Sequence, residues 1–264
     1  MSNLKLPEMA GLFYPSDPGD LRGVVENFIL NGKETTLTLT ALIAPHAGYI
    51  YSGQVAGTAY KAASKVAKKI HTVILLSPAH HYPLEGIAIH EALSFETPLG
   101  ELFVDSDRMT KLSKLPEVSL NNEAFTQEHA LEVHLPFIQV ALPNAKIVPM
   151  LVGNAHADVI SNVLFSLCHK EETLIIVSSD LSHQLSYDEC VKKDLRTSEK
   201  ITSLNGDDIR TNDTCGIYPL RGLIHWAKAS RLSAHTLDLR NSGDATGSKK
   251  HVVGYGAFLF GNNS

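Results

Sequence analysis

Three stretches of the chain repeat one pattern: a short apolar run of strand composition, then a tight polar turn that carries histidine. They are Ile43-Ala44-Pro45-His46-Ala47-Gly48-Tyr49, Leu76-Ser77-Pro78-Ala79-His80-His81 and Val177-Ser178-Ser179-Asp180-Leu181-Ser182-His183. The runs before these turns, Thr36 to Ile43, Thr72 to Leu76 and Thr173 to Val177, read as strands, and the last two as buried ones. Helical patterns separate them. Asp17-Pro18 opens a helix whose apolar positions Leu21, Val24, Val25, Phe28 and Ile29 recur at helical spacing. Small and apolar residues predict a packed helix over Gln54 to Val66. Asp158 to His169, Leu185 to Lys200 and Arg221 to Ser230 also read as helices. Gly86 to His90, Ala145 to Val152 and Val252 to Phe260 add strands, the last with interior Gly254 and Gly256. Pro149 argues for an edge or a bulge in the second of these. Strands alternating with helices imply a three-layer α/β/α fold. The Pro98-Leu99-Gly100 turn between short strands implies antiparallel pairing as well, hence a mixed central sheet. With no repeat and no linker, residues 1–264 read as a single domain.

Bulk properties exclude several function classes. Charged residues make up 19% and hydrophobic residues 44% of 264, which is a globular balance. A formal charge of −5 gives no reason to expect nucleic acid or an anionic membrane as partner. No apolar run reaches the roughly 18 residues of a membrane span, and Met1 to Tyr14 lacks a charged-then-apolar signal pattern. Three widely spaced cysteines make no disulfide framework and suit a reducing compartment. The expected location is the cytoplasm.

If the three strands run parallel, their histidines converge beyond the carboxyl ends, where α/β sheets bind ligands. Imidazole is the commonest protein metal ligand, and imidazoles at separate strand ends suit an open metal site. Each histidine alone could equally cap a turn. His80 and His81 diverge if the chain is extended, so one serves as ligand and the other as an outer contact. A fourth segment runs from Glu128-His129 to His134-Leu135-Pro136. Its histidines lie five apart, which excludes the zinc-protease helix with its spacing of four. It reads either as a helix start with solvated charges or as a pocket wall contributing His134. Cys215 lies in Asp213-Thr214-Cys215-Gly216-Ile217-Tyr218-Pro219, just before a helix, where the helix N-terminus would favour thiolate. Thiolate is both a nucleophile and a soft metal ligand. Cys168 and Cys190 fall in helical patterns and read as packing residues.

Taken together, these motifs resemble the Memo family over nearly the whole chain. The matching stretches are Ala44 to Tyr49, Ser77 to His81, Glu128-His129 through Pro136, Val177 to Asp180 with His183, Thr214-Cys215-Gly216, and the tail Asn241 to Asp244 with Val252 to Tyr255. The resemblance implies a fold like that of the class III extradiol dioxygenases, which are non-haem iron enzymes. It places the metal ligands on His46, His80 and Cys215, with Asp180 and His183 beside the metal, and carries over His81 and His134 as further catalytic candidates. One transition-metal ion is implied, Fe(II) first, with Cu and Zn as alternatives. AMMECR-like and radical-SAM proteins are the implied partners.

The ring-cleaving dioxygenases use a carboxylate where Cys215 stands, and thiolate prefers softer metals. Three functions therefore stand open: a dioxygenase-like redox enzyme on a small molecule, a binding or adaptor protein using the same cleft, and a hydrolase with Cys215 as nucleophile.

Overall fold

The computed structural model describes residues 3–168 and 172–262. The first half contains β1 (Leu4–Lys5), α1 (Pro18–Leu30), β2 (Ala41–Ala44), α2 (Tyr49–Ser64), β3 (Thr72–Pro78), β4 (Ile87–Ile89), β5 (Ser94–Thr97), β6 (Gly100–Phe103), α3 (Ser106–Leu112) and β7 (Val118–Leu120). The second contains α4 (His129–Glu132), α5 (Leu135–Ala141), β8 (Lys146–Val152), α6 (Ala157–Leu167), β9 (Thr173–Ser178), α7 (Tyr187–Thr202), α8 (Ile217–Ala229), β10 (Ser233–Asn241), α9 (Ser242–Thr246) and β11 (Gly254–Gly261). Eight strands form the main sheet in the order β10-β11-β2-β9-β3-β8-β4-β7. The central four, β2, β9, β3 and β8, are mutually parallel, while β11 and β4 join them antiparallel. β1, β5 and β6 make a separate small sheet, in which β5 and β6 are the hairpin expected around Pro98-Leu99-Gly100.

The central strands are apolar on both faces, and every residue of β2, β3 and β9 is buried. Such strands need a helical layer on each side. α1, α2, α4 and α5 form one layer, and α6, α7 and α8 the other, giving the three-layer α/β/α architecture. α1 begins as its sequence predicts: Asp17 caps it by accepting from the Asp20 N–H at 3.0 Å, and Pro18 occupies the first turn. α1 and α2 approach closely because Gly53 and Gly57 face Phe28. A Cβ on Gly57 would lie 2.3 Å from the Phe28 carbonyl oxygen. Among the described residues, no helix is long and apolar enough to cross a membrane.

Several boundaries differ from the sequence reading. Of the Thr36 to Ile43 run, only residues 41–43 are strand, which continues through Ala44. α2 and α8 begin five and four residues earlier than read, at Tyr49 and Ile217. The end of the Asp158 to His169 helix lies outside the described residues. β8 is an interior strand in unbroken register with β3, so Pro149 marks neither an edge nor a bulge. The reason is local. The side of β8 away from β3 is paired at Ile147, where Asp105 donates to the carbonyl, and again at Leu151 and Val152 by β4. Pro149 falls in the gap between these contacts, where its missing N–H deprives no partner.

Glu128 and Glu132 are also not solvated charges, since both are buried. Glu132 accepts hydrogen bonds from the N–H groups of Glu8 (3.0 Å) and Met9 (2.7 Å) and from the Tyr14 hydroxyl (2.6 Å). It thereby straps the N-terminal segment, including Phe13, across α4. Glu132→Ala strands three donors, two of them buried, and should lower unfolding free energy by about 3 kcal/mol in urea denaturation. A change below about 0.5 kcal/mol, typical of surface substitutions, would show that the strap is held elsewhere.

Candidate metal centre

The turns after β2, β3 and β9 emerge on one edge of the sheet because these strands end nearly level. Ala44 pairs with Ser178, and Leu76 with Val177. His46 is 2% exposed. Its backbone N–H donates to Asp180 Oδ1 at 2.8 Å, and its Nδ1 lies 2.7 Å from Ser178 Oγ. That hydroxyl spends its proton on the Ala130 carbonyl at 2.6 Å. It must therefore accept from imidazole Nδ1–H, which leaves Nε2 with a lone pair. Nε2 faces Cys215 Sγ at 3.2 Å.

His80 is oriented by the same logic with a carboxylate. Its Nδ1 lies 2.9 Å from Glu128 Oε1, and its backbone N–H donates to Oε2. Glu128 also caps α4 through the Ala130 N–H at 2.9 Å. Burial alone would raise the Glu128 pKa, but the His80 and Ala130 hydrogen bonds outweigh it and hold the group below the usual carboxylate range. An ionised Glu128 accepts from Nδ1–H, so His80 Nε2 is free as well. This carboxylate–histidine pairing is how proteins orient metal-ligating imidazoles.

Cys215 is placed by a hydroxyl relay between two turns. Thr214 Oγ1 bonds Ser179 Oγ and the Asp180 carbonyl (2.7 Å), and the Gly216 N–H donates to Ser179 Oγ at 3.0 Å. A side chain at Gly216 would meet Ser179 Oγ at 2.6 Å, which accounts for glycine after the cysteine. The expectation of a thiolate is corrected. Burial, reinforced by the nearby Asp180 charge, pushes the thiol pKa above its ordinary value despite the following helix. Burial and the surrounding imidazoles push His46 well below its own. In the metal-free site both groups are neutral at pH 7.

The donor atoms of His46, His80 and Cys215 all lie within 4.8 Å of one another. A second triplet, His80, Glu128 and His129, meets the same distance, but the Glu128 oxygens are already committed to His80 and Ala130. The first triplet has unspent donors and fits a metal ion.

His129 and Glu128 are the site residues that sequence spacing missed. The His129 ring is sandwiched between Phe13 (4.6 Å between centroids) and His80 (4.8 Å), and burial lowers its pKa to about 4. Asp180, 4% exposed, is raised to about 7 by burial, against hydrogen bonds from the His46 and Ala47 backbone. His183 is exposed and donates from Nδ1 to the Leu181 carbonyl at 2.9 Å. Its turn is fixed by buried Asp194, which accepts from the Ser182 N–H at 3.0 Å. A Cβ on Gly254 would fall 1.6 Å from Asp194 Oδ2, so this strand glycine makes room for the carboxylate. His81 is exposed, 6.4 Å from the His80 ring. His134 stands apart from the donor triplet. It is buried with Nδ1 2.9 Å from the Tyr60 hydroxyl, and burial lowers its pKa to about 3.

The thiol assignment has a direct check. In metal-free protein, alkylation of the Cys215 peptide by iodoacetamide should climb about tenfold per pH unit to beyond pH 9 with no earlier plateau. Asp180→Asn should bring the plateau down. A rate already flat at neutral pH would mean a resident thiolate.

The family model described as Memo-like protein matches residues 5–259. A MEMO1 family protein of Aquifex aeolicus is 32% identical over 96% of this chain and 98% of its own length. Relatives of that family name from Sulfolobus acidocaldarius and Methanopyrus kandleri are each 31% identical, covering 98% and 96% of this chain and 100% and 98% of their own lengths. With the motifs, the family model and full-length relatives in agreement, the chain belongs to the Memo family.

Proposed function

We propose that the chain binds one transition-metal ion through His46, His80 and Cys215 and uses it as the centre of a redox enzyme acting on a small molecule. The observation that carries this is the convergence of three donors whose other polar contacts are already made. Ordinary Zn–N and Zn–S bond lengths in a tetrahedron place such donors about 3.4–3.6 Å apart. The His46 Nε2 to Cys215 Sγ distance of 3.2 Å is close to that. Three protein ligands leave a coordination position for substrate. Two imidazoles and a thiolate suit Fe(II), our first choice, and also Cu and Zn(II). Bound there, the metal would supply Lewis-acid and electron-transfer chemistry.

The remaining roles fall to the chain. Ser178 and Glu128 hold each imidazole with Nε2 inward. Cys215 must give up its proton on binding. Asp180, raised to about 7, can hold or release a proton beside the ligands near neutral pH. His183, exposed at the mouth of the site and with its pKa lowered mainly by partial desolvation, is available as a base there.

The 3.2 Å Cys215–His46 contact also fits a nucleophile and base. Charge separation in that pair is opposed at both ends, because burial raises the thiol pKa and lowers that of the imidazole. Metal content decides between the two. Protein purified without oxygen should carry about one metal ion per chain, and His46→Ala or His80→Ala should remove most of it. Cys215→Ser should lose Cu(I) affinity, whereas a nucleophilic cysteine predicts unchanged metal content in that variant. Wild-type metal binding in both histidine variants would refute the assignment.

The pH dependence has a definite sign. Near neutral pH the free thiol is protonated while His46 is not. Binding must then expel the thiol proton, so affinity should rise about tenfold per unit between about pH 6 and 8. The slope should steepen below about 7, where Asp180 is protonated too. A flat profile in metal titrations would contradict thiolate ligation.

A further inference from the structure

We propose that the groove between α7 and the Arg210–Asp213 turn binds a small multivalent anion of the pyrophosphate or organic-polyphosphate class. The groove encloses about 430 Å³ and is lined by Lys192, Lys193, Arg196 and Lys200, with Glu189 and Asp213 as its carboxylates. Glu189, Lys193, Arg196 and Lys200 follow steps of four, three and four, which is one face of a helix, and Lys192 borders it. The like pairs Lys192–Arg196, Lys193–Arg196 and Arg196–Lys200 oppose helix formation, whereas Glu189–Lys193 favours it. The chain as a whole carries −5, so this concentration of cations is local and does not reflect general basicity.

The two carboxylates do not balance it. Glu189 is occupied in the helix cap, where its Oε2 accepts from the Ser186 N–H (3.2 Å) and hydroxyl (2.5 Å). Asp213 lies 2.8 Å from Lys200 and 3.8 Å from Lys193, and the Glu189 carboxylate keeps its charge beside Lys192, so two carboxylates face four cations. Lys192 and Arg196 make no ion pair among the described residues. Arg196 offers a planar fork suited to phosphate oxygens, and the lysines add mobile point charges. A volume of this order fits a small molecule, and cations gathered on one concave helix face favour a compact ligand of several charges.

Isothermal titration of pyrophosphate into the full chain at low salt tests this. Saturable binding of one equivalent is expected. Arg196→Gln and Lys192→Gln, both at exposed positions, should each weaken it about tenfold. Lys111→Gln, on α3, should not. Binding should persist in His46→Ala, since the metal centre is not the receptor. Absence of saturable binding, wild-type affinity in both groove variants, or loss of binding in His46→Ala would each overturn the proposal. A hexaglutamate peptide that binds more tightly than pyrophosphate, and is lost in the same variants, would overturn it in favour of an acidic protein surface.

Discussion

The site depends on one constraint: adjacent parallel strands that end level. β2, β9 and β3 are hydrogen-bonded in continuous register, so the turns carrying His46, Asp180 and His80 leave the sheet on a common edge. A one-residue slip in any of them would turn its side chains to the opposite face. Apolar residues on both faces of these strands, covered by two helical layers, fix the register. Packing of the core is therefore what sets the distances among the donors.

Polar groups then complete what packing begins. His46 and His80 each have their outward nitrogen hydrogen-bonded, one by Ser178 and one by Glu128. These contacts fix tautomers and aim lone pairs inward at the cost of burying a carboxylate and several hydroxyls. Glu128 is stable there because His80 and the Ala130 N–H satisfy it. The hydroxyl relay through Ser179 and Thr214 does the same for the Cys215 turn. The outcome is a protonated Cys215 thiol beside a buried, neutral His46, with His80 at the exposed side of the same cluster. That set is poor at separating charge by itself and well suited to binding a cation.

Much of this was legible in the sequence, for physical reasons. Buried parallel strands are short continuous apolar runs, so β3 and β9 stand out, and the polar turns that follow them expose His46, His80 and Asp180. The Asp17-Pro18 cap marks α1 as directly. Cys215 was readable from its turn, but its protonation was not, because burial overrides the helix terminus and depends on atoms distant in sequence. Glu128 and His129 looked like an ordinary charged helix start. Only the fold shows that Glu128 reaches across to β3 and that Phe13 covers His129. β10, with only Ala234, Asp238 and Asn241 buried, and the N-terminal strap on Glu132 were not read. Pro149 misled because the rule excluding proline from interior strands assumes full pairing on both sides, and β8 has a gap on one.

X-ray absorption at the edge of the bound metal tests the central claim most directly. Ligation by Cys215, His46 and His80 predicts one sulfur scatterer at about 2.3 Å and imidazole nitrogens at about 2.0 Å. The sulfur signal should vanish in Cys215→Ser. A first shell of nitrogen and oxygen alone in the wild-type protein would contradict the account.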